Sequence, residues 1–177
     1  PHREMASGLS MPVGFKNTTD GSLSVALNGM ASALSSHSFI GTDQDAKLNV
    51  VDTTGNQYVH LILRGGHRGP NYDSASIRGA VAQLEASDFN TSLVVDCSHG
   101  NSEKKYKNQE KVLKSLIKQI QEGEQNIRGI MLESNLKAGN QSIPKDLSQL
   151  VYGQSVTDEC LDWEMTEDLL HYAYSSL

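Results

Sequence analysis

Four polar side chains stand out by position. Lys16, Arg64, His99 and Glu133 each fall just after a short apolar run, the runs being Pro12-Val13-Gly14-Phe15, His60-Leu61-Ile62-Leu63, Ser92-Leu93-Val94-Val95-Asp96 and residues 127–132. Lys16 and Arg64 are cations suited to a phosphate or carboxylate, the guanidinium as a planar fork of donors and the ammonium as a point charge. Gly65 and Gly66 behind Arg64 would let a ligand approach the backbone closely. His99 and Glu133, with Asp158 as a third, offer an imidazole and two carboxylates, a borderline-hard set that suits Mn, Fe, Co or Zn. Taken singly, each has a plain structural alternative. The cations can be solvated strand ends, His99 a helix cap, and Asp158 a cap or a surface charge. Four such residues after four successive runs form a constellation, because parallel α/β folds build their sites at the C-terminal ends of strands.

Other reactive side chains carry less. Cys97 and Cys160 are the two cysteines, too few and too far apart for a Cys-x-x-Cys zinc site, and both read as small core residues. His37, His60, His67 and His171 have no companions at catalytic spacing, although His67 follows the Arg-Gly-Gly turn and can border the site. Trp163 and the tyrosines near the C-terminus read as packing on the last helix.

The elements that must position these groups alternate in type. A strand over 12–17 leads into a helix from about Ser22, where Leu23, Ala26, Leu27, Met30 and Leu34 recur at helical spacing and Asp20 or Ser22 can cap the start. Residues 38–41 are short and apolar. Residues 47–52 and 57–63 flank Thr53-Thr54-Gly55-Asn56, which predicts a hairpin turn. A helix follows over 74–86. The run ending at Asp96 precedes the clearest helix, with Val112, Leu113, Leu116, Ile117 and Ile120 in one stripe, a Glu110/Lys114 pair and Gly123 as its stop. After the fourth run a long polar segment leads to Ser155-Val156-Thr157-Asp158 and to a last helix near Thr166.

This is an α/β pattern of four βα units. A closed (β/α)8 barrel needs about 250 residues and eight strands. The 177 residues are therefore half of one, or a small open sheet. A hydrophobic fraction of 37% is enough for one core, and a net charge of −6 lacks the basic footprint of a nucleic-acid binder. A small phosphorylated ligand needs only a few local cations and stays compatible with that charge. No apolar run approaches the roughly 18 residues of a membrane span. The cysteine usage and the lack of a visible signal peptide predict a reducing, cytoplasmic setting. The chain opens Pro1-His2-Arg3-Glu4 without an initiator Met, which predicts a piece of something longer.

Five motifs in order resemble one family. They are Pro12-Val13-Gly14-Phe15-Lys16-Asn17-Thr18-Thr19-Asp20-Gly21, Ile62-Leu63-Arg64-Gly65-Gly66, Asp96-Cys97-Ser98-His99-Gly100-Asn101-Ser102, Glu133-Ser134-Asn135 with Gly139-Asn140-Gln141, and Ser155-Val156-Thr157-Asp158. Together they are similar to type I 3-deoxy-D-arabino-heptulosonate 7-phosphate (DAHP) synthase, the enzyme that opens the shikimate pathway of aromatic amino acid biosynthesis. The resemblance implies a (β/α)8 TIM barrel of which residues 1–177 supply the C-terminal half, strands five to eight with their helices. It implies condensation of phosphoenolpyruvate with erythrose 4-phosphate and a requirement for a divalent metal ion. Lys16 and Arg64 match the family's phosphoenolpyruvate-phosphate ligands, and His99, Glu133 and Asp158 its metal ligands. Lys16 and His99 are the catalytic candidates, with proton movement left open between His99 and Asp158. Ser10, Phe39 and Gly41 fall where part of an aromatic amino acid effector pocket would lie.

The departures are specific. The family's fourth metal ligand, a cysteine on the first strand, has no counterpart, nor do its Lys-Pro-Arg-Thr motif for erythrose 4-phosphate and an upstream arginine for phosphoenolpyruvate. Cys97 takes a place where the family usually carries an aromatic residue, Thr19 replaces a common glycine, and residues 41–47 depart from the usual sequence. The expected partners are the two substrates, the N-terminal half of the same barrel, further copies in a homo-oligomer and an aromatic amino acid effector, with neither nucleic acid nor membrane. The competing readings are a non-catalytic half-barrel that keeps phosphate affinity or serves in assembly, and another barrel lyase or keto-acid phosphate synthase.

Overall fold

The four apolar runs become four parallel strands. A computed structural model describes residues 2–177. Its elements are α1 (His2–Ser7), β1 (Val13–Lys16), α2 (Ser24–Leu34), β2 (Ser38–Thr42), β3 (Leu48–Asp52), β4 (Val59–Leu63), α3 (Ser74–Ala86), β5 (Leu93–Asp96), α4 (Asn108–Gln121), β6 (Ile127–Met131), β7 (Lys137–Asn140), a 3-10 turn (Leu147–Gln149), β8 (Gln154–Ser155) and α5 (Trp163–Ser176). The main sheet has the order β1-β4-β5-β6 with every pair parallel. It is a mixed α/β arrangement with an open sheet, β1 and β6 forming its edges.

Side chains alternate between faces along a strand. Leu61, Leu63, Leu93, Val95 and Cys97 are essentially inaccessible and belong to one core. Met30 and Ala33 of α2, Ile77 and Leu84 of α3, and Leu113 and Leu116 of α4 complete it. Each fully buried Leu or Ile contributes about 1.5–3 kcal/mol relative to exposure. The predicted stripe of α4 is this buried face. Helix α3 starts at Asp73, whose carboxylate accepts the N–H groups of Ala75 and Ser76. The Ser76 hydroxyl also donates to it, and these bonds hold the Asp73 carboxyl below its ordinary range.

Several boundaries differ from expectation. The hairpin joins β2 to β3, with Ser38 opposite Asp52 and Thr42 opposite Leu48. Its turn is 43–47, where the Asp43 carboxylate accepts the N–H groups of Asp45 and Lys47. Thr53-Thr54-Gly55-Asn56 instead docks on the end of α2. Asn56 N–H donates to the Ala33 carbonyl, and Gly55 sits at φ +86° where a Cβ would lie 2.0 Å from the Leu34 oxygen. Neither Asp20 nor Ser22 caps α2, whose N-cap is Leu23 without a side-chain bond. The Asp20 carboxylate is spent on the preceding turn, accepting from Thr18 and from the Ser22 N–H. Helix α5 begins earlier than predicted because Asp162 accepts the Met165 N–H.

The aromatic reading also needs correction. Trp163 is 63% exposed and Tyr174 is 88% exposed, so neither packs in the core. Tyr172 lies against α4, with Lys114 Nζ 5.3 Å from its ring centre. Among the described residues no helix is long and apolar enough to cross a membrane.

Candidate metal and anion site

Strand register brings the predicted side chains to one end of the sheet. Lys16 is level with Ile62, Leu63 with Val95, and Asp96 with Met131. The residues just beyond these positions therefore converge on the C-terminal edge. At its centre is the fully buried carboxylate of Asp96. Its Oδ2 accepts from Lys16 Nζ at 2.7 Å, and its Oδ1 accepts from the Ser98 N–H at 2.9 Å. Removing a carboxylate from water costs several kcal/mol, and this charge is offset by the ammonium and by the directed Ser98 N–H. His99 Nδ1 also lies 2.8 Å from Asp96 Oδ2. His99 holds a left-handed φ of +54° in a turn closed by the Lys104 N–H on the His99 carbonyl at 2.8 Å. Such a conformation costs of order 1 kcal/mol and is kept only where the surroundings enforce it.

That turn aims the other ring nitrogen at two carboxylates. His99 Nε2 is 3.4 Å from Glu133 Oε1 and 3.6 Å from Asp158 Oδ2. One donor atom from each of the three residues lies within 4.8 Å of the others. Ligand bonds of about 2.0–2.2 Å place neighbouring donors of a divalent ion roughly 3.0–3.5 Å apart. One measured edge, 3.4 Å, lies within that range and the other, 3.6 Å, just above it, so the set fits one metal ion after a contraction of the three side chains. Glu133 is held ready for this. Its Oε2 accepts from Ser98 Oγ at 2.9 Å, which leaves Oε1 facing His99.

The anion end is built by three asparagines. Asn17 Oδ1 accepts the Arg64 N–H at 2.8 Å, and its amide donates to the Gly65 carbonyl at 2.9 Å. Asn71 Oδ1 accepts the Gly65 N–H, and Asn101 Oδ1 accepts the Asn71 N–H, each at 2.7 Å. Asn101 also donates to the carbonyls of Leu63 and Asp96. The loops touch so closely that a Cβ on Gly65, at φ +67°, would fall 2.5 Å from the Asn101 nitrogen. Outside this contact opens a cleft of about 460 Å³, lined by Thr19, Arg64, Gly66, His67 and Lys104 among others.

Comparison with known proteins places the arrangement. The model of the DAHP synthetase I family matches residues 1–171. The chain belongs to that family. The Tyr-sensitive phospho-2-dehydro-3-deoxyheptonate aldolase of Salmonella typhimurium is 49% identical over 176 residues, covering 99% of this chain and 49% of that protein. The phenylalanine-inhibited aldolase of Saccharomyces cerevisiae is 47% identical, covering 96% and 47%. A solved phospho-2-dehydro-3-deoxyheptonate aldolase from Francisella tularensis superposes with a TM-score of 0.91 at 44% identity, over 99% of this chain and 50% of that one. The chain thus spans about half the length of the relatives it matches.

Within this DAHP synthetase I chain, Lys16, His99, Glu133 and Asp158 gather around Asp96 or face one another, and Arg64 lines the neighbouring cleft with His67. Phe39 and Gly41 stand two apart on β2, where a Cβ on Gly41 would lie 3.7 Å from the Phe39 ring, while Ser10 is exposed before β1. Cys97 is core, and burial beside Asp96 pushes its thiol up to about 12. Cys160 departs from the core reading: it is half-buried and lines a hollow with Glu133 and Asp158. Sequence reasoning gave no role to Asp96, Ser98, Asn17, Asn71, Asn101 or Gln109. For Gln109 a signal exists, since it falls on the apolar stripe of α4, three residues before Val112.

Proposed function

We propose that this chain is the C-terminal half of one (β/α)8 barrel domain and carries half of a DAHP synthase site. The reaction joins the methylene carbon of phosphoenolpyruvate to the aldehyde carbon of erythrose 4-phosphate. Water adds to the former enol carbon, and inorganic phosphate leaves. What carries this reading is the convergence of His99, Glu133 and Asp158 beside the Lys16–Asp96 pair at the strand ends, in a chain of this family.

Each side chain has a part. Lys16 and Arg64 bind the phosphoenolpyruvate phosphate, neutralising its charge and fixing the nucleophilic carbon. Asp96 orients the Lys16 ammonium from below. His99, Glu133 and Asp158 hold a divalent ion, Mn, Fe, Co or Zn by donor type. When bound, that ion supplies Lewis acidity to an aldehyde oxygen. His99 or Asp158 helps to move the protons as water adds to the former enol carbon. The first half of the barrel supplies the remaining ligands, and Ser10, Phe39 and Gly41 contribute to a pocket for an aromatic amino acid. The setting proposed is a cytoplasmic homo-oligomer.

The test is consumption of phosphoenolpyruvate by the full-length protein with erythrose 4-phosphate, with and without a chelator. Turnover that the chelator abolishes and added divalent metal restores is expected. Turnover indifferent to chelator overturns the metal assignment, and no turnover with any of the four metals overturns the reading as an enzyme.

A further inference from the structure

We propose that Gln109 is a positioning residue for Glu133, setting the affinity of the metal site from the first turn of α4. The inference rests on the reading of His99, Glu133 and Asp158 as metal ligands. Gln109 is the first fully buried residue of a helix whose other buried positions are Val112, Leu113, Leu116 and Ile117. A glutamine there is costly unless both ends of its amide are bonded. Both ends go to one residue. Gln109 Oε1 accepts the Glu133 N–H at 2.8 Å, and Gln109 Nε2 donates to the Glu133 carbonyl at 3.1 Å.

This two-point clamp imitates a strand neighbour. Glu133 lies just past the end of β6, which is an edge of the sheet. Gln109 thus fixes the backbone of Glu133 together with the Leu161 N–H, which donates to the same carbonyl at 2.9 Å, while Ser98 Oγ fixes one carboxylate oxygen at 2.9 Å. The other oxygen then has one place to be, 3.4 Å from His99 Nε2. Without the clamp the Glu133 N–H loses its partner, the carbonyl keeps only the Leu161 N–H, and part of the ordering of the carboxylate falls to the moment of metal binding. Partners of this kind are worth 10- to 100-fold in metal affinity.

The experiment measures Mn²⁺ and Zn²⁺ affinity of the full-length protein by chelator competition, alongside the melting temperature of the metal-free form. Gln109→Met keeps the length and removes both bonds; a 10- to 100-fold weaker Kd is expected. Gln119→Met is the control in the same helix. Gln119 Nε2 donates to the Tyr72 carbonyl, remote from Glu133, so its loss should leave Kd within twofold. Should Gln109→Met fail to fold, Gln109→Leu removes both bonds with the side chain of the neighbouring buried positions Leu113 and Leu116, and at least a fivefold loss is expected. Metal affinity unchanged in the Gln109 variants, or weakened equally by Gln119→Met, overturns the proposal while leaving the metal site standing. A wild-type protein that binds neither ion overturns both.

Discussion

Replacing Asn17 by alanine isolates the network that holds the anion end. Asn17 is only 2% exposed. Its amide donates to the carbonyls of Thr18 and Gly65 at 2.8 and 2.9 Å. Its oxygen accepts from the Arg64 N–H at 2.8 Å and from Asn71 Nδ2 at 3.2 Å. Alanine removes all four bonds. The Thr18 carbonyl can turn to water, but the Arg64 N–H and the Gly65 carbonyl face the interior of the loop contact. An orphaned buried group costs about 1–3 kcal/mol. Two of them, partly relieved by a water entering the vacated space, give about 3 kcal/mol, roughly a hundredfold in the folding equilibrium. Urea titration of the full-length protein reads this directly. Because the same bonds seat Arg64, the KM for phosphoenolpyruvate should rise about tenfold while kcat changes less than threefold. A loss below about 1 kcal/mol with an unchanged KM would refute the view that Asn17 organises the cation.

Three further outcomes are expected. His99→Ala should abolish metal-dependent turnover and weaken Zn²⁺ binding more than tenfold, with circular dichroism unchanged; retained affinity in a chelator competition removes His99 from the ligand set. Arg64→Ala should raise the KM for phosphoenolpyruvate at least tenfold while leaving metal Kd within twofold, and an equal loss of both in the same preparation would assign Arg64 a structural role. Asp73→Ala should cost about 1 kcal/mol at pH 7 as a lost helix cap. Since the native Asp73 carboxyl lies below its ordinary value, its contribution is complete above about pH 4 and fades as pH falls through the native pKa. Urea melts at pH 7 and pH 2.5 should show the wild-type advantage shrinking, and a difference that is independent of pH would remove the ionised cap.

Much of the fold was legible in the residues themselves. Apolar runs ending in polar groups are the sequence form of buried parallel strands, and the stripe of α4 from Val112 to Ile117 is a face that must be covered. The helix over 74–86 is likewise set locally, its start fixed by the Asp73 carboxylate on the N–H groups of Ala75 and Ser76. The same locality explains why His99, Glu133 and Asp158 could be singled out. Residue type and place at a strand end are properties of the chain alone.

What the chain could not announce was which distant atoms would meet. Thr53-Thr54-Gly55-Asn56 has the composition of a hairpin turn, yet the end of α2 claims it through the Ala33 carbonyl, and the hairpin forms around Asp43. Asp96 reads as the last residue of a strand; only the register of β1, β4 and β5 makes it the buried partner of a lysine 80 positions earlier. Gln109 reads as a polar residue on the wrong face of a helix until β6 ends beside it. Local propensity and periodicity act over a few residues and are written in order. Hydrogen bonds between sites 24 to 80 residues apart depend on how the strands are ordered in the sheet, and that order exists only in the folded molecule.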